Sequence, residues 1–128
     1  MRLLEILRAI GKRPTMYLVD PTRNRCSIWH LQSFLVGFQS GRRERKEGDD
    51  ILDEFLFWVC TRYRVADGAM NWAGHLWVQC GKDEEAAFHL FFELLEEYLI
   101  DREQLGPDVL KARFMQMLDE LDEDMNPL

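Results

Sequence analysis

The stretch EEAAFHLFFELLEEYLI, Glu84–Ile100, decides the fold, because its apolar residues recur at helical spacing over seventeen positions with no glycine or proline. Phe88, Phe91, Phe92, Leu95 and Leu99 make an inward stripe, flanked by Leu94 and Tyr98. His89, Glu93, Glu96 and Glu97 occupy the opposite side. Asp83 stands where an N-cap belongs, and Glu84 and Glu85 follow where the positive end of the helix dipole favours them. One face packs and the other carries dense negative charge.

The pattern repeats on either side. Downstream, Gly106 and Pro107 break the chain, with proline suited to a first helical position, and Leu110, Phe114, Met117, Leu118 and Leu121 then share a face. Residues 119–128 are acidic and are expected to fray. Upstream, NWAGHLWVQC, Asn71–Cys80, reads two ways. As a helix, Asn71 caps it and Trp72 and Leu76 share a face; as a strand-like or irregular segment, Leu76, Val78 and Cys80 alternate with Trp77 and Gln79. The helix is favoured, since the chain offers no convincing partner strand.

ILDEFLFWVCTRYR, behind a cap at Asp49 or Asp50, presents Ile51, Leu52, Phe55, Trp58, Val59 and Tyr63 as a broad apolar face. Ser27 opens a helix carrying Ile28, Leu31, Phe34, Leu35 and Phe38, within which Gly37 would let another helix approach closely. Leu3, Leu4, Ile6, Leu7 and Ile10 form a first short helix that Gly11 and Pro14 terminate. GRRERKEGDD, residues 41–50, has no apolar side chain and reads as a solvated connector. The expectation is all-α: residues 1–128 as a single helical domain, a bundle of about five or six helices.

Composition bounds the function. The chain of 128 residues is 47% apolar and 12% aromatic, enough for a core without disulfides or metal. Cys26, Cys60 and Cys80 are widely spaced and unpaired with histidines, which points to reduced thiols and a cytoplasmic location, with no metal site and no cofactor. Glu5 and Arg8 interrupt any signal-peptide core, and no apolar run approaches the roughly 18 residues of a membrane span. The net charge of −7 is lopsided: residues 1–64 hold twelve Lys and Arg against eight Asp and Glu, residues 65–128 only four against fifteen. Such an acidic half disfavours nucleic acid and anionic membranes and favours a basic partner.

No catalytic constellation is legible. There is no glycine-flanked nucleophile turn, the three histidines share no ligand spacing, and the paired carboxylates look uniformly solvated, whereas an acid–base pair needs two different environments. The reading is a non-catalytic protein, not an enzyme. Glu93, Glu96, Glu97 and Asp101, with Asp119, Asp122 and Glu123 as a second group, are the candidate acceptors for a partner's Arg or Lys. Trp72, Trp77 and Tyr17 are the candidate aromatic anchors, Arg13 a candidate for orienting a loop, and Trp29 and Trp58 are assigned to the core.

Two resemblances bear on this. KRPTMYL, Lys12–Leu18, resembles the K-R-P-G-M-Y-I-G stretch of gyrase-type ATPase subunits, but Thr15 and Val19 replace its glycines. The ATPase's acidic and asparagine box, D-x-G-x-G segment and glycine-rich lid have no counterpart, so ATP binding is rejected and the stretch reads as a structural corner, with Met16 and Leu18 turned inward. More extensive is the order RPTMYL, SIWHLQSFLVGFQ, FLFWVCTRYR, NWAGHLW and DEEAAFHLFFELLEEYL, which resembles a group of small bacterial proteins, some of them similar to immunity proteins encoded beside polymorphic toxins. That resemblance implies a binding inhibitor that occludes a basic site on a cognate toxin. The alternative is a helical module that homodimerises through surplus apolar surface.

Overall fold

The structure is a computed structural model that describes residues 2–13, 26–41, 50–68 and 70–125. These form six helices: α1 Leu3–Lys12, α2 Ile28–Ser40, α3 Ile51–Tyr63, α4 Trp72–Gln79, α5 Glu84–Leu105 and α6 Pro107–Met125. No strand occurs among the described residues, and no helix among them is long and apolar enough to cross a membrane.

The helix ends follow local chemistry. Ser27, in extended backbone, accepts the Trp29 amide at 3.2 Å and donates its own hydroxyl to Glu84 at 3.0 Å, so one side chain caps α2 and ties it to the start of α5. Asn71 accepts the Gly74 amide at 2.9 Å, and this cap decides the ambiguous 72–80 segment in favour of a helix, α4. Asp83 accepts the amides of Glu85 and Ala86 at 3.1 and 3.0 Å. The 22-residue α5, some 33 Å at about 1.5 Å per residue, then runs to Gly106, whose φ of 85° lies where only glycine is at ease. Asp50 holds the N-cap position of α3, but its side chain makes no capping bond; its carbonyl receives Asp53 and Glu54 instead.

The core gathers around α5. Phe55, Phe88, Phe91 and Tyr98 are its largest enclosed side chains, joined by Leu3, Leu7 and Ile10 of α1, Leu31 and Leu35 of α2, and Leu76 of α4. Phe55 meets both Phe91 and Tyr98 edge-on, with ring centroids 5.3 and 5.7 Å apart. The buried face of α5 is rotated from the predicted stripe: Ala87, Leu94 and Tyr98 are inside, while Phe92 and Leu99 are half-buried. Gly37 also departs from expectation, since among the described residues no atom outside its own stretch of helix lies within 4 Å of where its Cβ would be; it is an exposed glycine, not a helix-crossing point among these helices. The close glycine approach is at Gly11, where an added Cβ would come within 3.1 Å of the Phe92 ring.

Alongside, α3 runs antiparallel to α5, with Glu54 opposite Arg102 and Arg62 opposite Glu97. On its other flank α6 lies parallel to α3, Phe57 stacking on Phe114 at 4.7 Å and Arg64 pairing with Glu120 two turns on. This second contact has its own small core of Cys60, Phe114 and Met117. The acidic segment 119–125 is helical, and residues 126–128 lie outside the described residues. So do the corner residues Pro14–Leu18, with the inward packing assigned to Met16 and Leu18, and residues 42–49 of the 41–50 connector.

Candidate interaction surface

The outward side of α5 carries Glu93, Glu96 and Glu97, all exposed. They fall at helical spacings of three and four and so form one ridge, continued by Ile100, an apolar side chain left 54% exposed. Glu97 pairs with Arg62 at 3.4 Å, each side chain about half open to water. Among the described residues no hydrogen bond or ion pair engages Glu93 or Glu96; Glu96 edges a recess whose far wall is Arg8 and Lys12 of α1.

Asp101 does not belong to this ridge. Its carboxylate accepts the indole N–H of the buried Trp58 at 2.9 Å, so its first task is to satisfy a core donor. The second acidic group, Asp119, Asp122 and Glu123, is exposed on α6. It is separated from the ridge by the last turn of α3, where Arg62 reaches Glu97 on one side and Arg64 reaches Glu120, at 2.9 Å, on the other.

Of the aromatic anchor candidates, one is taken into the core by packing. Trp72 is only 7% exposed and sits against Phe91 in the core, with ring centroids 4.8 Å apart. Trp77 is half-buried, edge-on to Trp29 at 5.6 Å and beneath the Lys82 ammonium. That contact also corrects the assignment of Trp29, which is half-buried at the margin of the core. Trp58 is core, as expected. Arg13 caps the end of α1 through its backbone, bonding Ala9, and is exposed; Tyr17 lies outside the described residues.

What periodicity alone could not reveal is a groove of about 340 Å³ between α3 and α6. Trp58 and Leu110 line it together with Phe57, Phe114 and Met115. Glu54 stands at its edge as the acceptor for both the Tyr98 hydroxyl at 2.6 Å and the Arg102 guanidinium at 2.8 Å. Partial burial pushes the Glu54 carboxyl upward, but those two donors outweigh it and hold the group below the usual glutamate value. Burial, reinforced by the neighbouring Glu54 charge, pushes the Tyr98 phenol far up.

One pair has the composition of a nucleophile and its base. Cys60 Sγ lies 3.8 Å from Nε2 of His75, and both residues are buried. The same Nε2 is 3.1 Å from the Asp67 carbonyl, which can only accept, so Nε2 carries the proton and has no lone pair for a thiol. Burial and the nearby Asp67 charge push the Cys60 thiol up to about 11, against the direction an activated cysteine requires. The geometry therefore satisfies a buried histidine and does not activate Cys60. Burial raises Cys26 and Cys80 as well, with smaller contributions from nearby acids. Among the described residues no three His, Cys, Asp or Glu side chains come together as a metal site.

The fold and surface thus define an all-α bundle with a carboxylate ridge on its fifth helix and an apolar groove between its third and sixth helices. No family model matches the chain, and no curated protein or solved structure matches it significantly.

Proposed function

We propose that this protein is a non-catalytic binding protein of the immunity type, which blocks a basic site on a cognate bacterial toxin. The observation that carries the reading is the α5 ridge, where Glu93 and Glu96 stand exposed without an ion pair among the described residues, next to the exposed Ile100. Carboxylates of this kind attract a basic surface over distances of about 8–10 Å at ordinary salt and speed encounter. The order of sequence blocks that resembles immunity proteins supports the same reading, as does the −7 net charge.

The test begins with the reading frame adjacent to this gene. Co-expression with a toxic domain encoded there should restore growth and give a stoichiometric complex on size exclusion with light scattering. The triple variant E93K/E96K/E97K should lose protection and complex while keeping its helical content and melting temperature. Unchanged affinity removes the ridge from the interface. Recovery of this chain only with itself replaces inhibition with self-association.

A further inference from the structure

Exposed charges steer association but contribute little affinity; a surface ion pair is worth roughly 0–1 kcal/mol, whereas tight interfaces rest on a few side chains sunk in desolvated pockets. The ridge supplies the first and, apart from Ile100, not the second. Trp72 and Trp77, the aromatic candidates that are described, are committed to intramolecular packing. The α3–α6 groove has the missing properties. Its floor and walls are aromatic and aliphatic, and its volume of about 340 Å³ accommodates a large side chain with part of its neighbour.

Charge decides which neighbour. Glu54 spends one oxygen, Oε2, on Tyr98 and Arg102, while Oε1 accepts no hydrogen bond among the described residues. Asp108 adds a second carboxylate at the rim. Among the described lining residues the one cation is Lys111, which is exposed and can swing its ammonium into water; Glu54 is held in place by Tyr98 and Arg102, whose guanidinium already offsets its charge, so Asp108 supplies the unbalanced carboxylate.

We infer that this groove is the anchor site for the partner: it takes an apolar side chain adjacent in sequence to an arginine or lysine, the apolar group entering beside Leu110 and Met115 and the cation bonding Glu54 Oε1 and Asp108. This inference rests on the inhibitor reading above and gives that interface its affinity-bearing half. Ridge and groove have separate tasks, encounter and retention.

The probe is a capped dipeptide, N-acetyl-phenylalanyl-argininamide, titrated into the whole protein while the methyl signals of Met115 and Leu110 are followed by NMR. Those signals should shift with a dissociation constant on the order of millimolar, as befits so small a ligand. The phenylalanyl-glutamate counterpart should bind at least about tenfold more weakly. Met115→Lys, at a position already 51% exposed and so compatible with the fold, should weaken the arginine dipeptide by about tenfold or more, and Lys111→Glu should tighten it. Equal shifts from both dipeptides, or none at the groove, overturn the proposal. With the toxic partner, Met115→Lys should chiefly speed dissociation; full protection by this variant, alongside loss in E93K/E96K/E97K, refutes the groove and leaves the inhibitor reading standing. If instead the adjacent frame encodes nothing that binds, that reading falls, while selective dipeptide binding still upholds the chemistry of the groove.

Discussion

Two packing zones divide this molecule. Around α5 the rings of Phe88, Phe91 and Tyr98 are enclosed among α1, α2, α3 and α4; along α6 only Phe114 and Met117 are buried, Leu110, Leu118 and Leu121 are half-buried, and most of the other described positions are exposed. Both zones come from amphipathic helices of similar pattern. The difference is the number of partners: a helix gripped from several directions has no room for a ligand, whereas one that packs mainly on α3 and otherwise only on α5 leaves open edges. The α3–α6 groove is such an edge. The inert Cys60–His75 pair lies inside and the candidate interaction surface lies outside, which matches their chemistry.

The comparison can be broken most directly at its cores. Phe91→Ala should cost about 3–5 kcal/mol, the range for a fully enclosed phenylalanine, and Phe114→Ala should fall at or below the lower end, because the open side of α6 can collapse into the space. Chemical denaturation of the two variants measures this, and equal costs would mean that the α6 contact is as constrained as the main core.

A smaller effect is expected where the zones meet, at Glu54. Glu54→Ala leaves the buried Tyr98 hydroxyl without its acceptor and should cost about 1–3 kcal/mol; Glu54→Gln, which keeps an acceptor, should cost less. The pH dependence has a definite sign. The folded-state value of Glu54 lies below its usual one, so its contribution is complete above the ordinary glutamate range and is lost as acid carries the pH down through the lowered value. Acid melts of wild type and Glu54→Gln should therefore converge; a gap that persists at low pH would refute this account.

The smallest effect is a gain. Because none of the described residues packs on Gly37, Gly37→Ala should stabilise the protein by about 0.5–1 kcal/mol, measured as a rise in melting temperature. Had Gly37 been the helix-crossing point that its large neighbours suggested, the same change would destabilise.

Much of the fold was legible in the chain because its signals are local. Ser27, Asn71 and Asp83 cap with side chains that reach two or three residues ahead, Gly106 and Pro107 separate α5 from α6, and apolar spacing marks every helix but α4. The ridge of Glu93, Glu96 and Glu97 was legible for the same reason, since outward positions on a helix are set by periodicity once its inward side is known. Where local signals were balanced, as at residues 72–80, one cap hydrogen bond decided.

Tertiary structure settled whatever depends on partners distant in sequence. Asp101 is drawn to Trp58 across 43 positions, Glu54 holds Tyr98 across 44, and Arg64 meets Glu120 across 56. Packing likewise took Trp72 into the core and set α6 beside α3 to form the groove. The physical reason is one of range: hydrogen bonds at caps and the helical repeat act within a few residues, so the sequence by itself determined where helices begin and end, while the packing of those helices on one another set the exact buried face of α5, which polar groups are used up inside and which surfaces stay open to a partner.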